Sequence, residues 1–477
     1  MRETNQNSDS TTPLLSASQH LSYTTCQTTG ASLNHTVEDG IYTLERQPEK
    51  WNEPRTNFWR VLATFYSFIV VGANDGVYGA MIHYLGKYYN ADYKTVSMVF
   101  LSPFIGYAAA AFGNSWIHER FGQRGIALLG TGMHIIAYLA ATQHPPYPAL
   151  IAIFVLSGLG NGIVDASWNA WIGAMDSSSQ LMGILHAFYG LGAALAPLTA
   201  TYLITNRDWK WYEFYYLMAV AAGVEFVTSV AAFWSARGSL SQAQDPDSRG
   251  DDNMSPGTPD SLNVNAPPKH PTLESLRMSS TWIISLFLLV YVGVEVTIGG
   301  WVFTFLVDLR NTPPSVAGVV TFTYWAGLTV GRVCLGFLTP YFKRQRLAVL
   351  AYLGACIILH LTFCVVDDLL LSAITVTLIG FFLGPLYPEA VIAQAKLLPR
   401  YLHVAAVGFA CALGSAGGCV FPFITGATAE IYGIKVLQPA VLAMLFLCLA
   451  LWLALPARRP GARQPAFSVS STPSVLF

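Results

Sequence analysis

The sequence predicts an all-α membrane protein with twelve transmembrane helices in two six-helix bundles, and three observations support this. Of its 477 residues, 53% are hydrophobic and only 11% are charged, whereas soluble domains carry about 25% charged residues. The apolar residues fall into twelve runs of roughly the 20 residues that a helix needs to cross a bilayer. A polar segment near the middle of the chain separates these runs into two groups of six.

The twelve apolar runs are numbered here as spans 1 to 12. Glycine and proline within several of them are compatible with helices, because both residues are common in membrane helices. The predicted spans are Phe58–His83, Thr95–Ile117, Gly125–Thr142, Pro148–Ala174, Leu181–Thr205, Tyr212–Ser235, Ser279–Val307, Ser315–Pro340, Leu347–Val366, Leu369–Lys396, Val404–Ala427 and Val436–Pro456.

The polar segments define the domain organisation. Residues 1–57 are rich in Ser, Thr and Asn and are expected to form a disordered cytoplasmic tail with no signal peptide. Residues 58–235 and 279–456 are the two predicted bundles, and residues 236–278 a cytoplasmic linker between them. A second cytoplasmic tail is expected at residues 457–477.

The two bundles share local sequence features. In span 5, Gly192 precedes Pro197 by five residues, and in span 11 Gly417 precedes Pro422 by the same distance. Spans 1 and 7 both contain Val-Gly shortly before an acidic residue. Such matches indicate an internal duplication, which is a common origin of two-bundle membrane proteins.

Basic residues in the short flanks of the spans predict the orientation in the membrane. Lys and Arg are more than twice as frequent at the end that carries both chain termini as at the opposite end. Because basic flanks stay in the cytoplasm, both termini are expected to be cytoplasmic. As a separate expectation, the cell membrane is favoured over the vacuolar membrane. The sequon at Asn34 would then face the cytoplasm and remain unglycosylated.

Composition also argues against several kinds of partner. The net charge of −1 gives no basic field for nucleic acid. The seven cysteines show no CxxC pair, so no metal or cofactor site is expected. No nucleophile–base motif or phosphate loop indicates an enzyme. The expected partners are a small-molecule substrate, protons and the lipid bilayer, with the protein as a monomer.

Several acidic residues lie well inside predicted spans, where an ionised carboxylate costs roughly 2.5–3.5 kcal/mol on insertion scales. Asp75, Asp165, Glu295 and Glu389 are in the first and fourth spans of each half, and Glu225 is in span 6. Asp75 is the leading candidate to load and release a proton. Glu295 suits a polar binding cavity, and Glu389 either a gate or a helix cap. The alternative for each is a protonated acid hydrogen-bonded between helices, and a structural contact is favoured for Glu225.

Neutral polar side chains next to the acids are candidate substrate ligands. Asn74 precedes Asp75, and Asn169 lies one turn after Asp165 on the same helix face. In span 5, His186 and Tyr189 are one turn apart and each offers a flat ring with a hydrogen-bonding edge, which suits an oxygenated ligand such as a sugar. Interhelical hydrogen bonding is the alternative.

Three motifs resemble the major facilitator superfamily, and within it the fucose/galactose/glucose–proton symporter branch and its fungal relatives. Asn74-Asp75 looks like that branch's Asn-Asp pair. Asp165-x-x-x-Asn169 is similar to its acid-x-x-x-Asn motif, with Asp where bacterial members usually have Glu. Tyr291–Gly300 (YVGVEVTIGG) resembles its seventh-span signature. The resemblance implies alternating access around a central site, with a proton relay at Asp75 and Asp165.

Two further segments extend the resemblance. Tyr387 and the following proline look like an aromatic-Pro turn of the branch, which makes Tyr387 a candidate substrate ligand. The segment Glu119–Gln123 resembles a degenerate loop signature of the superfamily. Arg120, Gly122 and Arg124 are therefore candidate gating residues, because charged groups at a helix end can hold bundles together in one state. His186 and Tyr189 replace amides of the branch, so the substrate contacts are expected to differ.

These observations lead to one functional hypothesis and two rivals. The first is proton-coupled symport of a sugar or similar small polar solute. The second is proton-antiport efflux of a more apolar or secondary metabolite, which the aromatic-rich spans would suit. The third is a non-transporting membrane receptor or scaffold, against which the acids inside the spans argue.

Overall fold

The computed structural model describes residues 33–38, 41–46, 49–236, 271–342, 344–398 and 402–456. Most of the predicted tails and of the predicted linker lies outside these ranges. The predicted all-α membrane fold is confirmed, since almost every described residue belongs to a helix.

Twelve long helices correspond to the twelve predicted spans within the described residues. Eleven of them are long and apolar enough to cross a membrane, and the twelfth, span 8, is equally long but less apolar. Span 1 is Arg55–Tyr89. Spans 2 and 3 are formed by the helices Tyr93–Val96 and Met98–Ala141 and divide at Gly122. Spans 4 to 12 are Tyr147–Gly173, Ser178–Asn206, Phe214–Phe233, Ser279–Thr304, Pro314–Leu338, Gln345–Val365, Leu369–Leu397, His403–Tyr432 and Leu437–Ala454.

Three spans depart from a simple helix. Span 2 begins as the short helix Tyr93–Val96 and continues in the helix Met98–Ala141, which also contains span 3. Span 7 ends in a π-helical turn at Phe305–Leu309. Span 10 consists of Leu369–Leu383 and Leu386–Leu397, because it is interrupted at a glycine and a proline.

Short helices lie at the ends of several spans. They are Trp211–Glu213, Pro271–Leu276, Thr339–Tyr341 and Ile434–Val436.

The connection between spans 2 and 3 is shorter than predicted. The sequence predicts a loop from His118 to Arg124, but helical structure continues through this segment with a single break at Gly122. Gly122 has φ 67° and ψ −163°, a conformation that a residue without Cβ adopts at little cost. One glycine therefore makes the turn that a loop was expected to make.

A pair of strands precedes the helices. Leu33–Glu38 (β1) and Ile41–Arg46 (β2), which the sequence analysis assigned to a disordered tail, pair antiparallel with Glu38 opposite Ile41. The signal for this hairpin is the dipeptide Asp-Gly between the strands, which is typical of two-residue hairpin connections.

Close glycine contacts pair the helices in the same way in both halves. A Cβ on Gly192 of span 5 would lie 2.1 Å from the carbonyl oxygen of Ile69 in span 1. A Cβ on Gly417 of span 11 would lie 1.8 Å from the carbonyl oxygen of Leu289 in span 7. These are the two glycines of the sequence repeat, and only glycine permits such close packing of helix backbones.

The two ends of the helical bundle differ in how the halves meet. The terminal end is defined here as the end at which Arg55 begins span 1, and the distal end as the end at which Tyr89 finishes it. One buried core cluster contains residues of both halves, including Trp301 and Phe100. A second cluster, around Trp168, consists of residues of the N-terminal half near the terminal end.

Candidate functional site

The Asp75 carboxylate lies at the middle of span 1 and accepts hydrogen bonds from neutral side chains of four spans. Its Oδ1 accepts from Asn74 Nδ2 and from Asn161 Nδ2, each at 3.1 Å. Its Oδ2 accepts from the hydroxyl of Tyr189 at 3.0 Å and from that of Tyr107 at 3.4 Å. Asp75 is only half-buried, and among the described residues no cationic side chain forms an ion pair with it.

Small residues in span 1 bring the Tyr189 hydroxyl to Asp75. A Cβ on Gly72 would lie 1.9 Å from the carbonyl oxygen of Tyr189, and a Cβ on Gly76 would lie 2.3 Å from that of Ala193. Glycines four residues apart form a flat helix face against which another helix can pack closely. The sequence Gly-Ala-Asn-Asp-Gly therefore places span 5 directly beside the acid.

Two glycines of span 4 position the remaining donors in the same manner. A Cβ on Gly158 would lie 2.4 Å from the carbonyl oxygen of Pro103, and one on Gly162 would lie 3.1 Å from Cα of Tyr107. Spans 2 and 4 therefore pack closely enough for Tyr107 and Asn161 to reach Asp75 together.

Asn74 supports Asp75 from within the protein. Its side chain is 1% exposed and its amide also donates to the Tyr78 hydroxyl at 3.1 Å. Asn74 thus lies next to the acid in a buried position, and its predicted role as a substrate ligand remains a prediction.

Asp165 and Asn169 form a local pair in span 4. The Asn169 amide donates to the Asp165 carbonyl oxygen at 2.9 Å and to Oδ1 at 3.0 Å. Both side chains are half-buried. Among the described residues no hydrogen bond joins Asp165 to Asp75, so the predicted relay between the two acids has no direct contact in this structure.

His186 and Tyr387 meet across the centre of the molecule. The centroids of their rings, from spans 5 and 10, are 6.5 Å apart. The His186 Nδ1 donates to the carbonyl oxygen of Met182 at 2.9 Å, which fixes the ring on its own helix. The Tyr387 ring is also 6.4 Å from that of Tyr291. The structure therefore brings two predicted ligands from different halves close together.

Glu295 has a partner that the sequence analysis missed. It is 4% exposed, and its two carboxylate oxygens accept from Nη2 of Arg332 at 2.7 and 2.8 Å. Arg332 lies in span 8, where it is the sole charged residue of an apolar helix. The reasoning that identified the acids inside spans would have identified this arginine too. The Tyr324 hydroxyl adds a hydrogen bond to the Glu295 carbonyl oxygen at 2.9 Å.

Glu389 lies in the first turn of the second helical segment of span 10. Its side chain is 4% exposed, and its backbone N–H donates to the carbonyl oxygen of Pro385 at 3.1 Å. The first-turn position suits a negative charge because of the helix dipole. No side chain caps this helix by a hydrogen bond, so the predicted roles of Glu389 as a gate or as a cap stay predictions.

The predicted gating residues lie at the terminal end of spans 2 and 3. Arg120 is exposed, and Gly122 makes the turn described above. The Arg124 backbone N–H donates to the carbonyl oxygen of Ala236 at 3.1 Å, and its guanidinium lies 3.6 Å from the centroid of the Trp234 ring. Arg124 thus joins span 3 to the end of span 6 within one half.

Polar contacts close the distal end between the two halves. The His83 Nδ1 lies 3.2 Å from the Asp308 carboxylate, which also accepts from the Tyr93 hydroxyl at 2.9 Å. The Tyr93 backbone N–H donates to the Glu430 carboxylate at 2.9 Å. Residues of spans 1 and 2 are therefore held to residues at the ends of spans 7 and 11.

A pocket of about 380 Å³ opens at this distal end and is lined by His83, Tyr93, Asp308 and Glu430 among others. Below it, spans 1 and 7 touch through their backbones, because a Cβ on Gly79 would lie 2.2 Å from the carbonyl oxygen of Gly299. Gly79 is one helical turn from Asp75. Along span 1 this contact therefore lies between His83, which lines the pocket, and Asp75.

Comparison with known protein sequences identifies the family. A family model of the Major Facilitator Superfamily matches residues 64–359. Bypass of stop codon protein 6 of Saccharomyces cerevisiae is 30% identical over 390 residues, which cover 79% of this chain and 78% of that protein. A glucose/galactose transporter of Brucella abortus is 23% identical over 335 residues, which cover 65% of this chain and 72% of that one.

Solved structures agree with the family assignment at the level of the fold. A bacterial homolog of the human lysosomal transporter Spinster, in an inward-facing and unoccupied conformation, has a TM-score of 0.63 at 12% identity, covering 84% of this chain and 97% of its own. A D-xylose–proton symporter has a TM-score of 0.60 at 13% identity, covering 82% and 97%. The chain belongs to the Major Facilitator Superfamily and is a multi-pass membrane transporter.

Proposed function

We propose that this transporter is a proton-coupled symporter that carries a sugar or a similar small polar solute by alternating access. The observation that carries the proposal is the Asp75 carboxylate, which is half-buried inside the bundle and surrounded by neutral donors. An acid in such surroundings can change its charge without breaking an ion pair.

The donors around Asp75 suit a step in which a proton is taken up and later released. Two tyrosine hydroxyls and two amides stabilise the ionised carboxylate, and each can turn to another acceptor once the acid is protonated. Asp165 lies half-buried in span 4 and is the second proposed proton carrier. A solute that enters the centre would reach the proton site and exchange hydrogen bonds with it.

The proposed solute site comprises His186, Tyr189, Asn169 and Tyr387. Flat rings with hydrogen-bonding edges next to an amide match the mixture of apolar faces and hydroxyls that a sugar presents. Two of the similar proteins are named for glucose/galactose and for D-xylose transport, which supports the same class of solute. Glu295, engaged by Arg332, would act by orienting neighbouring groups in the C-terminal half.

The distal contacts support alternating access. Hydrogen bonds, the contact of His83 with Asp308 and the close contact at Gly79 hold the distal end together. They are individually weak, so a modest differential binding energy can open them. Arg120, Gly122, Arg124 and Glu389 are proposed to regulate the terminal end in the opposite state. Cytoplasmic termini and residence in the cell membrane remain part of the proposal.

The direct test is uptake of labelled D-glucose, D-galactose, L-fucose or D-xylose into proteoliposomes under an imposed pH gradient, acid outside. We expect at least one sugar to accumulate above its external concentration and a protonophore to abolish the accumulation. Protein-free liposomes serve as the control. Folded protein that moves none of these sugars, with or without a gradient, would contradict sugar symport.

The same vesicles distinguish the proposal from proton-antiport efflux. Aromatic rings near the proposed site, such as those of Phe68 and Tyr291, would also suit a more apolar compound. Gradient-driven extrusion of a fluorescent apolar compound, without sugar accumulation, would identify an exporter. If neither solute moves, a receptor or scaffold role is favoured.

A further inference from the structure

A fully buried acid in the N-terminal half is paired with a histidine that the transport proposal does not use. Glu225 of span 6 and His134 of span 3 are both 0% exposed. The His134 Nδ1 lies 2.9 Å from Glu225 Oε2, and the Ser67 hydroxyl donates to Oε1 at 2.5 Å. The sequence analysis favoured a structural contact for Glu225 and did not identify its partner.

The burial of this pair is costly and needs a reason. Removing two charges from water costs several kcal/mol per ion, and a well-packed apolar pair of the same volume is often as stable or more stable. A carboxylate–imidazole pair differs from other ion pairs because a proton that moves along its hydrogen bond converts two charges into none. Such a pair can respond to a nearby charge without any movement of the helices.

Span 4 connects the pair to the Asp75 carboxylate. A Cβ on Gly160 would lie 2.6 Å from Cδ2 and 2.9 Å from Nε2 of His134, so the imidazole packs directly against this backbone. The next residue, Asn161, donates to the Asp75 carboxylate. The His134 Nε2 and the Asn161 Oδ1 are both buried with no hydrogen-bond partner among the described residues. The His134 imidazole therefore packs against Gly160, and the next residue along span 4 is the one that binds Asp75.

The other titratable groups around the pair are tyrosines. Span 1 contributes Tyr66, whose hydroxyl donates to the Ala221 carbonyl oxygen. Span 3 contributes Tyr138, stacked 5.9 Å from the His134 ring, and span 6 contributes Tyr215, 6.2 Å from Tyr138. Span 4 faces the pair with a glycine and an amide. A phenol loses its proton only in alkaline solution, so Asp75 is the neighbouring group whose charge changes in the proposed transport cycle.

We propose that Glu225 and His134 share one proton and that its position along their hydrogen bond responds to the charge of Asp75. While Asp75 is ionised, the proton resides on His134 Nδ1 and the imidazolium faces the acid through Asn161. When Asp75 takes up a proton, the shared proton moves from Nδ1 to Glu225 Oε2 and leaves a neutral pair. No proton enters or leaves the pair in this step. Only the expected effect of the pair on transport rests on the proposed function.

The first test is the pH profile of gradient-driven uptake, measured with the sugar that accumulates in the uptake assay described above. Glu225→Gln and His134→Gln both remove the positive charge that stabilises ionised Asp75. Both profiles should therefore shift to higher pH, by about one unit for a neighbouring charge in the interior. The matched control is His360→Gln, because His360 is also buried but binds the Gln438 carbonyl oxygen at 3.0 Å. Folded pair variants with the wild-type profile would overturn the proposal.

A second measurement needs no sugar, and its main comparison needs no variant of the pair. Infrared difference spectra between acidic and neutral pH report the protonation of buried carboxyl groups in wild-type protein and in Asp75→Asn. In wild-type protein the Glu225 carboxyl band should appear as Asp75 takes up its proton. In Asp75→Asn the side chain at this position is neutral at every pH, so the Glu225 band should be present at both pH values and vanish from the difference spectrum. Glu225→Gln, if it folds, should remove that band. Spectra that differ only by the loss of the Asp75 band would overturn the inference, whatever the outcome for sugar transport.

Discussion

The two halves of the protein carry an acid at equivalent positions but surround it differently. In span 1, Asp75 lies six residues after Ile69, whose carbonyl oxygen packs against Gly192. In span 7, Glu295 lies six residues after Leu289, whose carbonyl oxygen packs against Gly417. Asp75 is half-buried and accepts from neutral donors only. Glu295 is 4% exposed and is bound by the guanidinium of Arg332.

This difference fits our proposal, in which one acid exchanges protons and the other stays bound to an arginine. A guanidinium beside a carboxylate favours the charged form strongly, and separating the buried pair would leave an uncompensated charge. Hydroxyls and amides stabilise a carboxylate less and also tolerate the neutral acid. We therefore propose proton exchange in the N-terminal half and an orienting ion pair in the C-terminal half.

The largest effect is expected from Asp75→Asn, which keeps the size of the side chain and removes its charge. Sugar accumulation driven by a pH gradient should fall to the level of the external concentration, because no proton can be carried at this position. Exchange of labelled for unlabelled sugar without a gradient should persist. Uptake assays in proteoliposomes measure both, and wild-type accumulation by this variant would remove Asp75 from the mechanism.

Arg332→Leu tests the other side of the comparison. It leaves Glu295 buried without its partner, which is expected to cost about 3–5 kcal/mol of stability and to lower the thermal unfolding temperature in detergent. Arg332→Leu combined with Glu295→Leu removes both charges and should recover much of the loss. A single variant as stable as wild type would show that the ion pair does not hold this half together.

Gly72→Ala tests whether close helix packing creates the Asp75 site. The new Cβ would lie 1.9 Å from the Tyr189 carbonyl oxygen, so spans 1 and 5 must separate, at a cost of about 1–3 kcal/mol or more. Gly354→Ala is the matched control, because a Cβ there meets nothing within 4 Å. We expect lower thermal stability and impaired coupling for Gly72→Ala alone. Equal behaviour of the two variants would contradict the packing argument.

The smallest effect is expected from Tyr189→Phe, which removes one of the four donors to Asp75. Loss of one hydrogen bond to a charged group is worth about 1.5–3 kcal/mol, so the ionised acid becomes less favourable. The pH profile of uptake should shift to higher pH while the protein stays folded. Tyr202→Phe, an exposed tyrosine of the same span, is the control. An unchanged profile for Tyr189→Phe would mean that its hydroxyl does not stabilise ionised Asp75.

Part of the site could be predicted from the amino-acid sequence. Asp75, Asp165 and Glu295 were recognised because a charge within an apolar run is costly wherever the helix packs. Arg332 follows from the same rule and was overlooked. By contrast, Tyr107 and His134 had no such signal, since an aromatic or imidazole side chain in a membrane helix is ordinary in composition. Their importance comes from which neighbouring helix they face.

The sequence by itself determined the number of membrane helices, the duplication of the two halves and the positions of the acids inside the spans. These features depend on hydrophobic length and on the local cost of burying charge, which are read along one helix at a time. Only the tertiary structure decided that Asp75 meets neutral donors, that Glu295 meets Arg332 and that the distal end is closed. Those outcomes depend on contacts between helices that are distant in sequence, and glycine spacing alone does not determine which side chains meet.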